Sequence, residues 1–134
     1  MLSLKDIRQF VADLGITADE NVYIGKLDGK KDKSIGVYRR STSGSPDIAL
    51  GGLDCTTYEV RPISLLIHWN KRPSDAEEAA QRLFDELLKI TSLSIAGTHI
   101  NFVRLMVPEP QEVGTDDNGV YEYVIWLDFI CERS

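Results

Sequence analysis

The chain has 134 residues, 43% hydrophobic and 27% charged, with a formal net charge of −6 from 15 basic and 21 acidic residues. That length and balance predict one soluble domain spanning 1–134 around a single core, not a disordered tail. The acidic sign argues against a dedicated nucleic-acid binder. No apolar run approaches the ~20 residues of a membrane span, and the start carries no basic patch followed by an apolar stretch, so neither membrane attachment nor secretion is expected.

Residues 3–14 predict a short helix. Ser3 can cap it, and Leu4, Ile7, Phe10, Val11 and Leu14 recur on one face. Gly15 stands where a helix end favours positive φ. Two strands are expected at 21–27 and 34–40. The polar run Asp28-Gly29-Lys30-Lys31-Asp32-Lys33 between them reads as a hairpin tip. Residues 41–57 are the longest loop-like stretch, with Gly51-Gly52 inside it and a short strand expected at 48–50; loops of that length tend to be functional.

Residues 58–69 form the clearest central strand. Ile63, Leu65, Ile67 and Trp69 share one face; Tyr58, Val60 and Leu66 share the other. Pro62 lacks a ladder donor, so a bulge or an unpaired side is expected near it. Next, Ser74-Asp75-Ala76-Glu77 has the form of a capping box. Ala76, Ala79, Ala80, Leu83, Phe84, Leu87 and Leu88 follow as an apolar stripe, predicting a helix over 74–90 that lies on a sheet. A strand is expected at 98–107, ended by Pro108 and Pro110. Asp116-Asp117-Asn118-Gly119 then marks a tight turn into a last strand over 120–131. Tyr121, Tyr123, Ile125, Leu127, Phe129 and Cys131 alternate with Glu122, Val124, Trp126, Asp128 and Ile130 along it. The fold class expected is α+β: one mostly antiparallel sheet with an N-terminal helix and a long amphipathic helix packed on it.

The residues that could carry chemistry are each explained by structure. His68 and His99 stand at strand ends outside any closely spaced ligand set, and metal sites need three or four convergent donors. No serine sits in a G-x-S-x-G elbow, and no glycine-rich phosphate loop precedes a helix. Asp116-Asp117 belongs to a turn; Glu77-Glu78 and Asp85-Glu86 lie on the polar side of a helix. Cys55 and Cys131 form no C-x-x-C pair and read as reduced thiols of a cytoplasmic protein. No catalytic residue, cofactor or metal is expected, and the chain is read as a non-enzyme.

Charge is unevenly placed. Residues 1–67 hold nine basic and nine acidic residues, whereas 68–134 hold six and twelve. Within the neutral half, Lys26, Lys30, Lys31, Lys33, Arg39 and Arg40 gather around the expected first hairpin. Lysine can protect an edge from aggregation. The functional reading is a contact with an acidic neighbour, or with DNA passing close by; these six are the candidate oligomer or partner interface.

Three stretches, YEVRPISLLIHW (58–69), DAEEAAQRLFDELL (75–88) and GVYEYVIWLDFI (119–130), carry a resemblance. With the order of elements around them, nearly the whole chain resembles the minor capsid and tail terminator (tail completion) proteins of long-tailed phages and prophages. The resemblance implies a tail-terminator-like fold and a place in the tail or neck of a virion, after synthesis in the bacterial host cytoplasm. It implies a homo-oligomeric ring, usually a hexamer, that caps the tail tube, stops its growth and offers a surface to the head connector. The implied partners are other copies, the tail tube protein and head connector or neck proteins, with DNA passing through the lumen. Such a ring closes through a heterologous interface, and the 26–40 and 41–57 segments are expected to reach a neighbour or the lumen. Two other readings stay open: a head–tail connector or neck protein, and a small cytoplasmic ligand-binding regulatory α+β domain.

Overall fold

The computed structural model describes residues 2–40 and 58–132. The loop 41–57, its expected strand at 48–50, the Gly51-Gly52 pair and Cys55 lie outside the described residues.

Helix α1 (Leu4–Asp13) starts at Ser3. The Ser3 hydroxyl accepts from the Asp6 N–H at 3.1 Å, and the Asp6 carboxylate accepts from the Ser3 N–H at 3.2 Å, so two orphan donors are satisfied reciprocally. Gly15 turns the chain at φ 76°. A short 3-10 turn, Asp19–Asn21, leads into β1 (Val22–Ile24), and β2 follows at Ser34–Arg39.

The expected hairpin is not formed: β1 and β2 pair in parallel, Val22 beside Ile35 and Ile24 beside Val37. The Asp28 turn exists, since Asp28 Oδ1 accepts from the Lys30 N–H and its carbonyl accepts from the Lys31 N–H. The chain also bends at Gly25 (φ 72°), whose N–H donates to the Val37 carbonyl, and again at Lys33 (φ 57°), whose N–H donates to the Trp69 carbonyl. One reversal makes strands antiparallel; the additional bends bring β2 back alongside β1 in the same direction.

Strand β3 (Tyr58–His68) pairs on one side with β2 and on the other with β7 (Tyr121–Glu132), from Tyr58 beside Glu132 to His68 beside Glu122. Pro62 causes no bulge, and its register with Asp128 is regular. Its carbonyl accepts from Arg40 N–H at 3.1 Å, so its missing donor also points toward β2, just beyond where that strand ends. The unpaired side is therefore the device used.

Helix α2 (Pro73–Leu88) begins earlier than its serine suggests. Pro73 takes the first turn, where its missing N–H is harmless, and Arg72 is the capping position without a side-chain bond. Ser74 is thus not the cap. Asn70 organises the entry instead: its Oδ1 accepts from the Arg72 N–H and its amide donates to Asp75.

Three further strands are described in the sheet: β4 (Thr91–Ile95), β5 (Thr98–Leu105) and β6 (Gln111–Thr115). Neither β4 nor β6 is among the predicted strands. Across the sheet the order is β1-β2-β3-β7-β5-β4, with β6 beside the start of β7. All pairs except β1 with β2 are antiparallel. The architecture is α+β and mostly antiparallel, as expected.

Both helices share one hydrophobic cluster with a single sheet face. Ile7 and Val11 of α1, Ala80, Leu83 and Leu87 of α2, and Ile35, Ile63, Leu65, Ile67, Ile125, Leu127 and Phe129 of the sheet belong to it. Phe10 meets Phe129 edge-on, ring centres 6.4 Å apart. Full burial of each large side chain stabilises by about 1.5–3 kcal/mol. Ile130, although buried, is absent from that cluster, because alternation along β7 turns it to the opposite face.

Candidate assembly interface

Register decides what the opposite face carries, because paired residues project on the same side. Pro62 pairs with Asp128 and Arg104 pairs with Asp128; Ser64 pairs with Trp126; Phe102 and Val60 both pair with Ile130. A β-bulge between Ile100 and Phe102 lets β5 bury Ile100 in the core while Phe102 turns outward.

At the middle of this face Asp128 is 3% exposed, and two arginines from flanking strands hold it. Arg40, just past β2, donates from Nη2 to Oδ1; Arg104 donates to Oδ2 from Nη2 at 2.7 Å and from Nε at 3.2 Å. A buried carboxylate needs such partners, since an unpaired one loses hydration without return. Arg104 leaves half of its side chain in solvent and Arg40 only 17%.

Around the ionic centre stand Trp126 at 47%, Phe102 at 46%, Met106 at 45% and Tyr58 at 40% exposure. Tyr58 comes from β3, Trp126 from β7, Phe102 from β5 and Met106 from the residue just past β5, and these strands are neighbours in the sheet. Aromatic residues, Met and Arg around a desolvated ionic centre are the composition of a protein–protein contact.

The six basic residues chosen from the sequence fall in two groups. Lys26, Lys30, Lys31 and Lys33 are exposed on the loop between β1 and β2. Arg39 and Arg40 lie at the far end of β2, about 20 Å away for six residues of strand. Arg39 is exposed, and Arg40 belongs to the Asp128 centre. Asp128 and Arg104 are not among those six. Their pairing depends on strand register, and the only sequence signal is an acid in mid-strand among outward-facing apolar residues.

On the same face, near the start of β7, His68 is 1% exposed and its Nδ1 lies 3.0 Å from Glu122 Oε2. Asp116, 3.8 Å from the same nitrogen, has its pKa lowered, first by the Val120 N–H, then by the Asn118 N–H, His68 and Lys71, against the opposing effect of burial. On the helix side, Glu77 and Gln81 of α2 face Glu109, Pro110, Gln111 and Glu112 across a cleft of about 300 Å³, which Tyr123 also lines. Among the described residues no three His, Cys, Asp or Glu side chains are grouped as metal ligands. The Cys131 thiol, buried, has its pKa pushed up to about 11 chiefly by desolvation, so it is a packing residue. Among the described residues no helix is long and apolar enough to cross a membrane.

A family model described as "Bacteriophage tail terminator protein" matches residues 10–133. No curated protein matches the chain. Among solved structures, a chain of the "Virion of native gene transfer agent (GTA) particle" is similar in fold, with TM-score 0.60 and 13% identity over 96% of this chain and 90% of that one.

Proposed function

Because the chain belongs to the bacteriophage tail terminator family, we propose that it works as one domain in a closed ring, six copies being the expected number, that caps the finished tail tube. The ring stops the tube from growing and presents a surface to the head connector. The open sheet face is the observation that carries this reading. Helices cover one side of the sheet, and the other side keeps Trp126, Phe102, Met106 and Tyr58 at 40% exposure or more around a buried ionic centre.

The tube end is the occupant this face suits. A ring copy whose neighbours sit at the two flanks of its sheet has a sheet face left for the axial partner. DNA leaving the head passes the lumen, and a chain of net charge −6 grips it weakly. The work is done by contact, so the chain is read as a structural protein and not an enzyme, made in the host cytoplasm and retained in the virion.

The test adds purified protein to tail tubes and images them in negative stain. Ring-shaped caps and arrested elongation are expected. Tubes that continue to grow with bare ends would overturn the reading.

A further inference from the structure

We propose that the cleft between α2 and β6 receives a lysine side chain, Lys30 or Lys31, from the β1–β2 loop of a second copy. This rests on the assembly reading above and gives it a specific side-to-side contact.

The cleft is built for a cation on a long stem. Glu77, Glu109 and Glu112 are all exposed and border it, with Gln81 and Gln111 between them, and its volume of about 300 Å³ suits one extended side chain. Tyr123 lines it at 7% exposure, and among the described residues no hydrogen bond to its hydroxyl is formed. Glu112 and Glu77 line the same cleft, and the Tyr123 pKa is raised, first by desolvation and then by those two carboxylates. An ammonium group entering here would meet three carboxylates and relieve their mutual repulsion. It would do so partly out of solvent, where a charge pair is worth more than on an open surface.

The chain carries a matching knob. Lys30 and Lys31 are exposed at the tip of the β1–β2 loop, where Asp28 folds the backbone and holds both N–H groups. The knob belongs to the β1 flank of the sheet and the cleft to the β6 flank. Three strand spacings of about 4.8 Å, ~14 Å in all, separate β2, where the loop ends, from β6, and among the described residues no ion pair joins Lys30 or Lys31 to Glu77, Glu109 or Glu112, so one copy does not fill its own cleft. A knob and a hole on opposite flanks join head to tail. Repetition of that contact gives a ring when the rotation closes.

The experiment is a charge swap read on tail tubes. Lys30→Glu with Lys31→Glu, and separately Glu109→Lys with Glu112→Lys, should each lower the capped fraction roughly tenfold or more, because like charges then face each other. The four-residue swap should restore capping. Circular dichroism checks that each variant is folded. Variants that cap as well as wild type overturn the proposal, and so does a folded four-residue swap that fails to recover. As a second measurement, Lys30→Cys with Glu112→Cys should give disulfide-linked multimers on tubes under mild oxidation; monomer alone overturns it. If wild-type protein itself leaves tubes bare, the assembly reading falls as well. If wild type caps and the variants cap equally, only the lysine contact falls.

Discussion

Replacing Asp128 by alanine removes the anion that two guanidinium groups share. Breaking a buried ion pair by deleting one partner costs about 3–5 kcal/mol. The two arginines do not lose equally. Arg104, with 51% of its side chain in solvent, recovers hydration, whereas Arg40, at 17%, stays largely covered and unpaired. The lower end applies, about 3 kcal/mol for Asp128→Ala. With a urea m-value of about 2 kcal/mol/M, the unfolding midpoint should fall by roughly 1.5 M. Arg104→Ala should cost only about 1 kcal/mol, since its bond is largely wet. Asp128→Leu combined with Arg40→Met should recover most of the loss, because it removes both buried charges at similar volume. Urea unfolding followed by circular dichroism measures all of these. The reasoning is refuted if Asp128→Ala stays within about 0.5 kcal/mol of wild type, or if Arg104→Ala is the costlier change.

Ala96 and Gly97 form the two-residue turn from β4 to β5, with φ 49° and 81°; Ala96→Asn should stabilise by about 0.5–1 kcal/mol in urea, since asparagine tolerates that conformation better. Trp126→Ala should change stability by less than about 1 kcal/mol, because the side chain is half in solvent, yet it should abolish capping of tail tubes in negative stain. Asp116→Asn keeps an oxygen for the Asn118 and Val120 N–H groups while removing the charge. Because the folded pKa of Asp116 is depressed, its charge contributes stability above the ordinary carboxylate pKa, and that contribution is lost as pH falls through the lowered value. Urea titrations should show wild type ahead of Asp116→Asn at neutral pH and the gap closing in acid; a gap that persists at low pH contradicts the assignment.

The elements legible in the sequence are those that carry their own period. In α1, α2, β3 and β7 the burying residues recur every three to four or every two positions, and each buries the face its pattern indicates, except that Leu88, expected in the α2 stripe, is exposed at the last residue of the helix. Strand β4, Thr-Ser-Leu-Ser-Ile, is too short and polar to announce itself, and its turn uses alanine where asparagine is the usual signal. Strand β6 lies between Pro110 and the Asp116 turn and owes its extension to β7 beside it. At α2, Ser74 with Glu77 has the right spacing for a cap, but Pro73 fits the first turn and moves the start upstream. In the β1–β2 segment, Asp28-Gly29 reports one reversal and says nothing of how many bends surround it.

The candidate interface was legible only in part, for a reason tied to register. Alternation along β7 shows that Trp126, Asp128 and Ile130 share a side, but not that Arg40 and Arg104 arrive opposite the acid from different strands. The bulge between Ile100 and Phe102 is likewise invisible until β5 is laid against β7, and without it Phe102 would follow Ile100 inward. These features argue for one another. Among the described residues helices lie on one side of the sheet only, and such a sheet must either make its other face polar or keep an apolar one for a partner. Here Val124, Trp126 and Ile130 hold outward positions of β7, Glu122 and Glu132 stand toward its ends, and the acid in mid-strand, Asp128, is neutralised by Arg40 and Arg104. A face meant for water has no need to bury its carboxylate beneath two arginines. A face meant to be covered does, since an unpaired charge would oppose the docking of any apolar surface over it.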